Sequence, residues 1–111
     1  MAVYKELDSK YEVLVEGKSG RRIKGYEGSL MMVEVYFENH YISEKHTHEH
    51  EQMTYCLEGT FEFYIGDKVE RISAGDTIYF PSNIEHHCAV ITETGRLLDV
   101  FTPIRKDFIQ E

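Results

Sequence analysis

Apolar side chains recur along this chain in short runs, many at every second position, with turn residues between them. Tyr11 to Val15 is largely apolar and suits a strand, and Gly17 to Gly20 reads as a turn. Leu30 to Phe37 is rich in β-branched, methionine and aromatic residues, with Glu34 facing out. Period two is clearest where Phe61, Phe63 and Ile65 alternate with Thr60, Glu62 and Tyr64. Gly66-Asp67 then marks a two-residue hairpin, Val69 to Ile72 returns, and Ala74-Gly75-Asp76 turns again. Ile78 and Phe80 form a short strand ended by Pro81-Ser82-Asn83. Cys88 to Ile91, a turn at Gly95, and Leu97 to Phe101 complete the series. The tail from Pro103 to Glu111 has room for one helical turn or two, and no amphipathic helix of useful length precedes it. Short strands at steady spacing predict an all-β sandwich or barrel, with residues 1–111 forming one domain.

Composition narrows the function. At 41% hydrophobic and 13% aromatic, the chain is too rich in apolar groups to stay disordered. Twelve basic against twenty acidic side chains leave a net charge of −8, which argues against a nucleic-acid partner and against an anionic membrane. No apolar run approaches membrane-spanning length and no secretory apolar region follows Met1, so the expected location is cytoplasmic. Two cysteines, Cys56 and Cys88, do not make a disulfide framework and read as packing. The segments Tyr4 to Leu7 and Tyr11 to Val15 are read as strands that could pair with a second copy in a homodimer.

Histidine is the odd feature: there are six, and five of them fall within 46–50 and 86–87. His46 and His48, two apart on an extended segment, point to one face and can meet one metal ion. Gln52 and His86 are candidates to close the site, an amide oxygen and a third imidazole. A histidine-rich loop in an acidic protein can also be plain solvated surface, so the surrounding order has to decide. Imidazole suits Zn, Fe, Ni, Cu or Mn. Neutral ligands leave the ion's charge uncompensated and favour an anionic substrate. Glu51 is an alternative to Gln52 if the turn runs one residue longer, and His50 is a spare ligand. His87 is expected beside the site or in solvent, and His40 on the surface.

The order does decide. His46, His48, Gln52 and Gly59 follow the first signature of the cupin family, and Gly75, Pro81, Asn83 and His86 follow the second. Asn83 stands where that signature has glycine, and asparagine tolerates the positive φ the turn needs. The chain resembles cupins, which implies a double-stranded β-helix, a small jelly-roll barrel with the metal inside. The run from His50 to Gly59 is similar to cupins with a glutamine ligand. The ending Leu98-Asp99-Val100-Phe101-Thr102-Pro103-Ile104-Arg105 resembles that of the pectin-degradation cupins, with departures at Glu49 and Glu85, where that group often has proline.

That resemblance implies a metal-dependent enzyme that converts 4,5-unsaturated monouronates to linear keto-aldehyde acids. It implies one divalent transition metal (Ni, Zn, Fe or Mn) on His46, His48, Gln52 and His86. It further implies Asp99 as acid/base group, Phe101 in the substrate pocket and Arg105 beside a small anionic sugar acid. Asp99 also stands out unaided, as a carboxylate in an otherwise apolar strand. Two other readings are open: an iron-dependent cupin dioxygenase, and a non-catalytic cupin that binds a sugar or metabolite.

Overall fold

The computed structural model describes residues 1–109, and the last two residues of the predicted tail lie outside the described part. Nine strands alternate with tight turns: β1 Tyr11–Val15, β2 Ser19–Glu27, β3 Leu30–Glu38, β4 Glu51–Glu58, β5 Thr60–Ile65, β6 Lys68–Ser73, β7 Thr77–Phe80, β8 His86–Val90 and β9 Thr94–Thr102. They form two antiparallel sheets, one in the order β1-β2-β3-β9-β4-β7 and one in the order β6-β5-β8. This is the all-β barrel that the alternation predicts. The only helical structure among the described residues is two 3-10 turns, Glu6–Asp8 and Lys106–Phe108.

Period two builds the interior directly. Gln52, Thr54 and Cys56 on β4 are buried while Met53 and Tyr55 between them are exposed. Phe61 and Phe63 on β5 and Met31 and Val33 on β3 are likewise buried. Burying an aromatic or aliphatic side chain of this size contributes about 1.5–3 kcal/mol. The buried residues gather in two clusters, one around Phe37, Phe61, Phe63, Phe80 and Leu97, the other around Met31, Val33 and Phe101.

Four expectations need correcting. Tyr4 to Leu7 is not a strand, because a 3-10 turn begins at Glu6. The turn after β1 ends at Lys18, and β2 then runs for nine residues that the apolar pattern does not announce. Its inward positions, set by pairing with Phe37, Val35 and Val33, are Ser19, Arg21 and Ile23. Only Ile23 among these is apolar, so alternation is invisible there. Strand β8 starts at His86 and not at Cys88. Gly95 is not a turn but a residue of β9, where a Cβ would lie 2.6 Å from the Phe61 ring. Its glycine serves close approach, whereas Asn83 does take the expected left-handed turn, at φ 62°.

Other details agree with expectation. Glu34 points outward as predicted, yet it is only 6% exposed, because Arg96 and Lys24 lie over it as ion-pair partners. Both cysteines are free and buried, and burial pushes the Cys88 thiol up to about 12. The polar stretch between β3 and β4 is anchored without being a strand. It lies along β8 through two isolated bridges, Ile42 with Ala89 and His46 with His86.

Replacing Gly95 by Ala drives a methyl group into the Phe61 ring. The expected cost is about 1–3 kcal/mol of stability, measured as a fall in the urea unfolding midpoint at unchanged slope.

Candidate metal centre

The bridge between His46 and His86 is what brings the histidines together. Each backbone N–H donates to the other's carbonyl at 3.0 Å, which sets the two rings 4.2 Å apart between centroids. His48, two residues on, turns to the same side, with its ring centroid 4.9 Å from that of His86. One ring nitrogen from each of the three lies within 4.8 Å of the others.

Hydrogen bonds fix which nitrogens those are. Nδ1 of His46, His48 and His86 lies 3.1, 2.9 and 2.9 Å from the backbone oxygens of Glu44, His50 and Ile84. A carbonyl only accepts, so each Nδ1 carries the proton and each Nε2 presents a lone pair. Burial favours the neutral ring. It holds His86 down at about 4 and also lowers His48, with the Arg105 charge adding to that effect.

Gln52 brings a fourth acceptor. Its amide Nε2 donates to Thr54 Oγ1 at 2.9 Å, and the Thr54 hydroxyl donates to Asp99 Oδ1 at 2.7 Å. The amide oxygen is thereby turned toward His48 Nε2, 3.1 Å away. A carbonyl oxygen and an imidazole lone pair at that distance repel unless a cation sits between them. His86 Nε2 is also buried with no hydrogen-bond partner among the described residues. A divalent transition-metal ion fits this donor set, since it answers both the repulsion and the orphaned nitrogen.

Strand register places the rest. Gln52 pairs with Phe101, and Thr54 with Asp99, across β4 and β9, so ligand, hydroxyl, carboxylate and ring form one inward block. Asp99 is partly exposed, and what it faces is a cavity of about 290 Å³. The same cavity is lined by His46, His86, Gln52, Phe101 and Arg105. It sits at the lower end of the size range of small-molecule pockets, which begins near about 300 Å³. Burial pushes the Asp99 carboxyl up to about 6, against the Thr54 hydrogen bond and the Arg105 charge that pull it down. Arg105 has a side chain only 12% exposed, stacks on Phe101 and Phe108, and grips Asp107 through Nε at 3.1 Å and Nη2 at 2.9 Å.

The open alternatives resolve by register. Glu51 is exposed on the outer face and accepts a hydrogen bond from Tyr79, so Gln52 is the inward residue. His50 contributes its backbone carbonyl to His48, and its ring is not among the three that converge. His87 stacks on Tyr64, and His40 sits in a left-handed turn. Residue reasoning missed Thr54, Arg21 and Phe108. Period two counted from Gln52 was the available signal for Thr54. Arg21 lies on a strand that the apolar pattern does not mark, and Phe108 closes the helical turn expected in the tail, where nothing in the sequence ties it to the cavity.

The cupin-domain family matches residues 33–101. The chain is 32% identical to the pectin degradation protein KdgF of Dickeya dadantii over 103 residues, covering 92% of this chain and 93% of that one. The solved structure of KdgF from Halomonas sp. superposes with a TM-score of 0.89 at 26% identity, covering 97% of this chain and 98% of that one. An RmlC-like cupin from Shewanella frigidimarina gives a TM-score of 0.88 at 28% identity, covering 97% and 96%.

Two measurements check this geometry. Thr54→Val keeps the shape but leaves the Gln52 amide and the Asp99 carboxylate each short of a partner. It should cost about 1–3 kcal/mol by chemical denaturation, and Thr54→Ser should recover most of that. The second concerns pH in the metal-free protein. His86, held below its unfolded value, contributes stability that is lost as pH falls from 6.5 toward about 4. Asp99, raised above its unfolded value, contributes stability that is regained as pH falls through about 6. The two oppose each other, so Asp99→Asn should lose about 2 kcal/mol more than the parent between pH 7 and pH 4.

Proposed function

The chain belongs to the cupin family, and we propose that it is a metal-dependent enzyme that linearises 4,5-unsaturated monouronates from pectin or alginate breakdown. The observation that carries this reading is the convergence of three histidine nitrogens and the Gln52 amide oxygen beside a cavity lined by His46, His86, the raised Asp99 carboxyl and Arg105. The similarity to pectin degradation proteins supports the substrate class. His46, His48, Gln52 and His86 would hold the ion. When bound, a divalent ion supplies Lewis acidity at a substrate oxygen and a fixed template for it.

The protein's own groups do the rest. A 4,5-unsaturated uronate is an enol ether, so its C4 accepts a proton and its C5 then accepts water. Asp99 delivers the proton to C4, and a carboxyl near pH 6 holds one often enough near neutrality to do so. The returning carboxylate takes the proton that the added water releases. The C5 hemiketal then breaks its bond to the ring oxygen, leaving a ketone at C5 and an aldehyde hydrate at C1, and loss of water from C1 makes the net change an isomerisation. Thr54 fixes the Asp99 carboxylate by its hydrogen bond. Phe101 forms a wall of the cavity, and Arg105, stacked on it, lines the same cavity as Asp99. The reading covers residues 1–111 as one cupin domain in the cytoplasm. It includes a homodimer through the edge of β1, where Val13, Leu14 and Val15 are exposed.

Incubation with an unsaturated monouronate, followed by the loss of ultraviolet absorption from its conjugated alkene, tests this. Absorption should fall with metal-loaded protein, with and without oxygen, and should persist once a chelator has stripped the metal. Asp99→Asn, with metal retained, should turn over about 10²–10⁴-fold more slowly. Turnover near the parent rate would remove Asp99 from the mechanism.

A further inference from the structure

Of the two guanidinium groups that line the cavity, the one on Arg105 is already engaged, and the other is not. Arg105 gives both its Nε and its Nη2 to Asp107, which neutralises its charge locally. Arg21 occupies an inward position of β2, between Ser19 and Ile23, and lines the same cavity as His46, His86, Gln52 and Asp99. Its side chain is 15% exposed, and its guanidinium carbon sits 3.9 Å from the centre of the Phe108 ring. Phe108 also carries Arg105, so a single phenyl ring holds both cations in place.

The acid beside Arg21 is its cross-strand neighbour Glu12, reached through Nε at 3.4 Å. Among the described residues, no side-chain hydrogen bond or ion pair engages the two terminal nitrogens of Arg21. At 15% side-chain exposure those nitrogens keep some contact with water and are free to give a carboxylate two parallel N–H bonds. Asp99 is the only acid among the residues lining that cavity.

We infer that Arg21 is the carboxylate-receiving residue of the cavity and selects sugar acids over neutral sugars. This rests on the uronate reading for its substrate class, but not for its chemistry: a planar fork, held by ring stacking and open on its terminal edge, fits the two oxygens of a carboxylate. With the acid group seated there, the ligand's neutral oxygens are left to face the histidine cluster.

The test uses metal-loaded protein and two non-reacting probes, D-galacturonate and D-galactose, with binding measured by titration calorimetry. The parent should bind the acid at least about tenfold more tightly than the neutral sugar. Arg21→Gln should weaken galacturonate about tenfold and leave galactose unchanged, and Arg21→Lys should keep part of the preference. Glu12→Gln, which removes only the neighbouring acid, should keep all of it. An Arg21→Gln protein that still prefers the acid overturns the inference, as does a Glu12→Gln protein that loses the preference equally. Thermal melting of each variant separates loss of binding from loss of fold.

Turnover keeps the two claims apart. If the parent opens the unsaturated monouronate and Arg21→Gln leaves KM unchanged, the inference fails and the uronate reading stands. If Arg21 governs galacturonate binding but no turnover occurs, the inference stands and the reading fails.

Discussion

Lone pairs that point at one spot repel one another, and the hydrogen bonds around this centre all act to hold them there. Three imidazoles donate from Nδ1 to backbone carbonyls, and one amide donates to a threonine. Each bond removes the alternative in which a ring or amide turns to relieve the crowding. Two of the carbonyls belong to residues two positions before their histidine, and one to a residue two positions after. The cluster is therefore a property of local backbone shape, and the barrel has only to bring two segments side by side. It does so with the reciprocal pair of hydrogen bonds between His46 and His86.

The glutamine ties this cluster to the carboxylate. Thr54 accepts from Gln52 and donates to Asp99, so one fully buried hydroxyl sets the direction of both. A glutamate at position 52 would place a second carboxylate in this row and add negative charge to the centre. The neutral amide instead has a donor to give Thr54, and this frees the hydroxyl proton for Asp99. The Gln52 amide is thus the first link of a hydrogen-bond chain that ends on the proposed acid.

Legibility in the sequence followed the kind of side chain that faces inward. Strands β3 and β5 put methionine, valine and phenylalanine inside, and their alternation is plain. The inner row Gln52, Thr54 and Cys56 of β4 carries two polar groups, and there the histidine spacing and the cupin resemblance located the site. Strand β2 faces inward with serine and arginine, so no apolar rhythm marks it, and Arg21 went unseen with it. Gly95 shows the reverse error. A glycine reads as a turn, yet here it lies within β9 and makes room for the Phe61 ring. The choice between Glu51 and Gln52 could not be settled by composition, because adjacent residues on a strand differ only by face. Pairing with Phe80 and Phe101 settles it.

The same inward register explains how a chain of net charge −8 places two guanidinium groups around one cavity. Fields from exposed carboxylates fade over roughly 8 Å at physiological ionic strength, so the chain's overall acidity acts weakly inside a narrow pocket. What acts there is local. Burial keeps His48 and His86 neutral and raises the Asp99 carboxyl to about 6, Gln52 is uncharged, and Arg105 is balanced by Asp107. Arg21 is the less engaged of the two guanidinium groups, because Glu12 lies at a loose distance and is itself more than a third exposed. An ion held by the histidine cluster would add positive charge to the cavity. The net charge that argues against a polyanionic partner and the Arg21 guanidinium proposed to receive a single small acid thus lie on opposite faces of the strands.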